Sequence, residues 1–199
     1  MKLLSKVMLL SLVLLVPATA WAADESMIKW TFVEAGYVDL DADTGNLVDS
    51  KADGWFVGGS FGWKMLHFFA DYQDTSGKDY DQTAYDIGVG WNGLLGDKAD
   101  LYFDVAYTNE EFELTSGIPT PASSNKVDES GYFVRGGARW RPIKLFELEG
   151  NIFYADVVDS NTGYFLQGMF HIWRVGIGAN WTSVSSNDTI GVFARFNFM

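Results

Sequence analysis

Histidine is the side chain best suited to move a proton near neutral pH, and this chain has two, His67 and His171. A hydrolytic or transfer reaction would set one of them beside a nucleophile or an activated water, with a carboxylate to orient it. Neither has that company in the sequence. The stretches "WKMLHFF" and "MFHIWRV" put both where the chain reverses, so each is expected to be a turn residue near headgroup level rather than a catalytic base. No close pair of carboxylates beside an obvious nucleophile stands out elsewhere. The expectation is a protein that is not an enzyme and carries no cofactor.

The other pattern with chemical content is "DLDADTGNLVD", where Asp39, Asp41 and Asp43 occupy the first, third and fifth positions of a calcium loop. The pattern then fails. Gly45 falls at the seventh position rather than the sixth, and Ser50 stands where a bidentate Glu is needed at the twelfth. Asp39, Asp41 and Asp43 remain weak cation candidates in what is expected to be a solvated acidic loop.

Charge and composition narrow the class. The first residues carry Lys2 and Lys6, an apolar run from Val7 to Val16, Pro17 and the small-x-small site Ala20-Trp21-Ala22. This is the pattern of a secretory signal peptide over residues 1–22, with one domain from 23 to 199. The apolar run is about half the ~20 residues a membrane helix needs. Losing Lys2 and Lys6 takes the formal charge from −12 to −14, which excludes nucleic acid as an expected partner. Cysteine is absent, so disulfides contribute nothing to the fold. The 21 glycines argue against a helical bundle, in which each would cost about 1 kcal/mol, and suit a sheet that must bend.

Period-two alternation recurs in about ten runs of eight to twelve residues, beginning with "IKWTFVEAGYVDL". Trp55, Val57, Gly59, Phe61 and Trp63 form one apolar face, and Tyr132, Val134, Gly136, Ala138 and Trp140 another. Short links such as "KML" and "RPIK" alternate with long polar ones such as "DADTGNLVDSKAD", "DTSGKDYDQ" and "NEEFELTSGIPTPASSNKVDES". That rhythm predicts an all-β, closed up-and-down antiparallel transmembrane barrel of about ten strands, with eight as the alternative. Within the apolar faces, Tyr72, Tyr85, Tyr107, Tyr132, Tyr154 and Tyr164 sit toward the long loops, and Trp63, Trp91 and Trp140 toward the short turns. Eight residues from Tyr132 to Trp140 make about 26 Å of strand, or about 20 Å of height after tilt, close to the ~25 Å apolar band of such barrels. A soluble barrel of the lipocalin type is the alternative, but the opposite faces mix charge with glycine and phenylalanine, as a packed interior does.

The same alternation places Glu34, Asp104, Arg135, Arg139, Glu147, Glu149 and Arg195 inward. Buried charges must be paired, and strand order sets Arg135 near Asp104, Arg139 near Glu147 or Glu149, and Glu34 across the closing seam from Arg195. An inward Glu34 takes Trp30 off the outer aromatic ring, so a bulge between Phe32 and Gly36 is expected. With inward phenylalanines added, the lumen is expected to be largely plugged; the alternative is a narrow pore for small solutes.

The phrases "ADGWFVGGSFGW", "YDIGVGWN", "ADLYFDVAYT", "DESGYFVRGGARWR" and "FELEGNIFYADV" resemble the small bacterial outer-membrane β-barrel superfamily, including OmpA/OmpX-like barrel domains. Within it, the chain is most similar to the diffusible-signal-factor-regulated barrel proteins. The resemblance implies an envelope role of structural, surface-display or adhesion type. It implies outer-membrane lipid and lipopolysaccharide as surroundings, barrel-assembly machinery and periplasmic chaperones as partners, and a monomer. It also implies that Ala194, Phe196 and Phe198 form the assembly signal of a terminal aromatic strand, although Met199 follows the aromatic that usually comes last. Replacing Phe196 and Phe198 with Ala is therefore expected to lower the amount of folded, heat-modifiable barrel in cells without lowering synthesis. Unchanged assembly would remove the signal from this strand.

Overall fold

Strands with an apolar face on one side and glycine, charge and aromatics on the other cannot pack as an open sheet without stranding an edge; closure removes the edge. The computed structural model describes residues 27–42, 51–78, 80–114, 126–157, 160–185 and 187–198. The expected signal peptide over residues 1–22, the expected start of the domain at 23 and Asp43 lie outside the described residues. Ten strands form one closed antiparallel barrel: β1 (Phe32–Ala42), β2 (Lys51–Trp63), β3 (Leu66–Gly77), β4 (Tyr80–Leu94), β5 (Ala99–Leu114), β6 (Lys126–Ile143), β7 (Phe146–Asp156), β8 (Ser160–Ile172), β9 (Val175–Val184) and β10 (Asn187–Asn197). Each pairs with its chain neighbours, and β1 pairs with β10 from Phe32↔Asn197 to Ala42↔Asn187. Ten strands, not eight, close the wall.

The outward face is the apolar one. Val57, Phe61, Ile87, Val105, Ile152, Leu166, Ile177 and Val192 are all exposed on the outside of the wall. Tyr85, Tyr107, Tyr132 and Tyr164 rim them at one end, and Trp63, Trp140 and Phe198 at the other. So much apolar surface facing out, closed on itself and bounded by aromatic rings, is the exterior of a membrane-spanning barrel. The short turns share the tryptophan end. At two of them, Lys64 and Trp173 take φ of 58° and 60°, the left-handed conformation of tight hairpin turns.

Two sequence expectations need correction. The long links are shorter than they read, because strands continue beyond the tyrosine ring. Pairing runs on from Asn109↔Ser130 to Glu113↔Lys126, and from Asp74↔Thr83 to Ser76↔Asp81. These residues are mostly polar on both faces, so no alternation announces them, yet their backbone groups still pair. Lys126 Nζ lies 2.5 Å from Glu111, Asn109 donates to Asp128 at 2.7 Å, and Tyr80 packs on Phe112 inside the extension.

The second correction concerns β1. Its registers with β2 and β10 run unbroken from Phe32 to Asp41, so no bulge separates Phe32 from Gly36, and Trp30 lies inside. The register shift falls instead between Trp140 and Ile143 of β6. There Pro142 has no N–H to give the ladder. Arg141, inside the shift, donates from its backbone to Lys98 O at 2.7 Å and turns its side chain under the barrel.

Candidate functional site

Inward positions hold most of the chain's chemistry, and glycines decide which of them can meet. His67 on β3 and Asp104 on β5 are separated by Gly90 of β4, which is in register with both. With hydrogen in place of a side chain at Gly90, His67 Nε2 reaches to 2.9 Å from Asp104. A Cβ there would collide with both groups. Gly137 of β6 does the same for Tyr102 of β5 and Asn151 of β7, whose Nδ2 donates to the Tyr102 hydroxyl at 2.8 Å. Gly36 of β1 lets Phe56 and Phe193 approach, with ring centroids 6.4 Å apart.

Two ionic groups follow. In the first, Asp104 is fully buried and accepts from Arg135 Nε at 2.5 Å as well as facing His67. Arg135 lies among the rings of Phe69, Phe133 and Tyr102, 4.8 to 5.9 Å from their centroids, and its side chain keeps 27% of its surface exposed. In the second, Glu147 accepts from both Nε and Nη2 of Arg139, the former at 2.9 Å, and lies 3.1 Å from His171 Nε2. Arg195 donates to Glu34 at 2.7 Å across the closing seam and comes within 3.9 Å of Glu147. Glu149 accepts from the Tyr102 hydroxyl at 2.6 Å and lies 3.7 Å from Arg139. These arginines and carboxylates are tolerated in so little water because each of them has a partner of opposite charge.

The short-turn mouth is closed by the chain itself. Residues 27–31 cross beneath the lumen from β1 to the far wall, where Met27 N donates to Asp97 O at 3.2 Å and Arg141 Nη1 donates to Met27 O at 2.7 Å. Trp30 turns up into the barrel, stacks on His67 at 4.2 Å, lies 4.6 Å beneath the Arg139 guanidinium and donates to Asp100 at 2.7 Å. Ile28 is buried below it, 2% exposed. Above Trp30 is a cavity of about 70 Å³, also lined by Glu34, Ser60, Asp71, Arg135 and Arg195.

The structure thus brings together Glu34 with Arg195, Asp104 with Arg135, and Arg139 with Glu147 and Glu149. Tyr72, Tyr85, Tyr107, Tyr132, Tyr154, Tyr164, Trp63, Trp91 and Trp140 share the outward parity of their strands, as do Ala194, Phe196 and Phe198. Asp39 and Asp41 lie at the upper end of β1, both exposed, and among the described residues no group of three or more His, Cys, Asp or Glu could hold a metal ion. The histidines lie next to the short turns but face inward: both are 1% exposed inside the barrel, His171 bonded to Glu147 and His67 2.9 Å from Asp104. Parity was the available signal, since His67 falls between outward Leu66 and Phe68, and His171 between outward Phe170 and Ile172. Tyr102, between Leu101 and Phe103, was legible in the same way. Asp100 shares the parity of Tyr102, and Trp30 shares that of Glu34, a signal that the expected bulge set aside.

Comparison with known proteins finds only distant structural likenesses. No family model and no curated protein matches the chain. Among solved structures, it is similar to Neisserial surface protein A at 12% identity, covering 84% of this chain and 96% of that one with a TM-score of 0.45. Ail, the attachment invasion locus protein of Yersinia pestis, matches at 13% identity over 85% and 100%, TM-score 0.46. The N-terminal β-barrel domain of Pseudomonas aeruginosa OprF matches at 10% over 86% and 100%, TM-score 0.45. At such values the resemblance carries no argument, and the reading rests on the geometry of the chain itself.

Two substitutions test the lumen. Arg139→Ala leaves Glu147 buried beside a missing partner and is expected to cost about 3–5 kcal/mol in denaturant unfolding of the refolded barrel. Gly90→Val is expected to cost about 1–3 kcal/mol by overpacking the His67–Asp104 contact. Gly136→Ala, an outward glycine whose added Cβ meets nothing closer than 3.9 Å, serves as the neutral control.

Proposed function

We propose that this chain is an integral outer-membrane barrel protein whose lumen is largely plugged and whose work is done at its outer surface, as a structural, display or adhesion-type envelope component. The observation that supports this most directly is the combination of a lipid-matched exterior with an interior given over to pairing and packing. Arg139 and Glu147 are each 1% exposed, and Trp30 closes the floor beneath them. An interior built for passage would keep such groups wet. The tryptophan-rimmed end with its short turns is then periplasmic, and the extended β4–β6 ribbon stands outside the cell.

The reading is non-enzymatic. His171 bonds to Glu147 and His67 lies 2.9 Å from Asp104, and among the described residues neither imidazole has a hydroxyl or thiol partner that could serve as a nucleophile. The surroundings it requires are outer-membrane lipid and lipopolysaccharide, reached after export behind a signal peptide and folding by periplasmic chaperones and the barrel-assembly machinery. A monomer suffices, since the barrel closes on itself. The acidic outer ribbon, with Glu110, Glu111, Asp128 and Glu129 on facing strands, offers its charge outward toward cations and cationic partners.

Single-channel recording of the full chain refolded in planar bilayers tests the reading. The expected result is a current indistinguishable from bare-bilayer leak under sustained voltage. Steady conductance well above leak would replace it with the narrow-pore alternative.

A further inference from the structure

We propose that residues 27–31 form a removable stopper, and that its release opens the lumen to small cations. The proposal rests on the plugged-lumen reading above and adds which segment makes the plug and what would pass once it leaves.

The first argument is geometric. In the ring of strands, β6 lies diametrically opposite β1. A ten-stranded barrel tilted about 40° has a backbone diameter of roughly 19 Å, and the five residue steps from Met27 to Phe32 span about 17 Å when extended. Arg141 covers the rest, reaching back from the β6 register shift to Met27 O while its Nε and Nη2 donate to Lys144 O at 3.2 and 2.6 Å. The segment therefore bridges a full diameter, tied at its far side to two turns.

Its attachments differ in kind from those of the wall. Strand residues are held by continuous ladders on both sides. The segment is held by isolated bonds rather than a ladder, among them Met27 to Asp97, Arg141 to Met27, Arg139 to Lys29 O at 3.2 Å, Trp30 to Asp100, and Gly62 N and Phe198 N donating to the Thr31 hydroxyl and carbonyl, each at 3.0 Å. The barrel closes through β1 and β10 without any of them, so the segment can leave while the wall stands. Segments with few ladder bonds are the ones that open at low free-energy cost.

What lies above the stopper sets what could pass. Trp30 is the floor of the mid-lumen cavity, with Ile28 beneath, so withdrawing both joins that cavity to the periplasmic mouth. The cavity reaches Asp71, which faces Asp86 directly across β3 and β4, and neither has an ion-pair partner among the described residues. Arg135, Arg139 and Arg195 are already committed to Asp104, Glu147 and Glu34. Withdrawing Trp30 also strips Asp100 of its indole donor. The opened path thus carries carboxylates in excess of free cations along its wall, the arrangement by which pores favour cations.

The test uses planar bilayers and potassium chloride gradients. Trp30→Ala combined with Arg141→Ala is expected to raise steady conductance at least tenfold over the silent wild-type chain, with a reversal potential shifted toward potassium. Because the chain has no cysteine, Met27→Cys with Asp97→Cys can be added to this variant to tie the segment down by a disulfide. Oxidation should restore silence and reduction should reopen the path. Heat-modifiable mobility checks that each variant is folded, and where the alanine pair does not fold, Trp30→Ala alone with the cysteine pair is compared oxidised and reduced. A folded, reduced variant as silent as wild type would overturn the stopper while leaving the plugged lumen standing. Opening with anion preference would overturn the cation assignment. A wild-type chain that already conducts as well as the variant would overturn both the stopper and the plugged-lumen reading.

Discussion

The interior of this barrel depends on pairing buried charges across a wall too narrow for every inward position to carry a side chain. Asp104, Glu147 and Arg139 sit where water scarcely reaches, so each needs a counter-charge or donor within about 3 Å. Adjacent strands supply some partners directly, as Asp104↔Arg135 and Glu34↔Arg195 show. Others come from two strands away and can meet only over a glycine, as His67 and Asp104 do over Gly90. The inward glycines are thus gaps that let long side chains meet, ionic over Gly90 and aromatic over Gly36.

That logic also explains the difference between the two halves of the lumen. Toward the short turns, Arg139, Glu147, Glu149, His171, Tyr102 and Trp30 interlock with little room between them. Toward the long loops, the wall turns to phenylalanines with Asp71 and Asp86 among them, and Arg135 at the boundary keeps part of its surface exposed. The short-turn half is sealed and the long-loop half is more open. Stability and accessibility are separated along the barrel axis, so the long-loop half can vary without unpairing a buried charge.

Much of the fold was legible in the sequence, because a membrane wall imposes one strict rule: apolar at every second residue over a fixed height. The ten strands, their faces, the two aromatic rings and the Glu34 to Arg195 seam all follow from it. Where the rule does not apply, reading failed. Polar pairs such as Glu110↔Glu129 lie beyond the apolar band and looked like loop. Trp30 precedes the first strand and answers to the barrel floor rather than to the lipid, so its apolar character pointed to the wrong ring. The bulge expected in β1 was inferred from that misplaced tryptophan. The register shift lies at Pro142, where backbone chemistry demands it and side-chain alternation is silent. The histidines were misjudged because nearness to a turn was weighed above parity, yet two-residue turns let the alternation persist to the last strand position.

The seam between β1 and β10 has a consequence for the order of assembly. Glu34 and Arg195 are separated by 161 positions in the chain, and their ion pair forms only when the first strand meets the last. Trp30, two residues before β1, must be seated beneath Arg139 and beside Asp100, which belong to strands in the middle of the sequence. The start of the chain is therefore committed to two appointments, one with the middle and one with the end. A sheet that zips in chain order can keep the first as soon as β6 is formed, and only then the second. Closing the seam encloses a tryptophan already in place, and the loop-closure entropy of the longest contact is met last, by a chain whose ends the rest of the wall has already brought together.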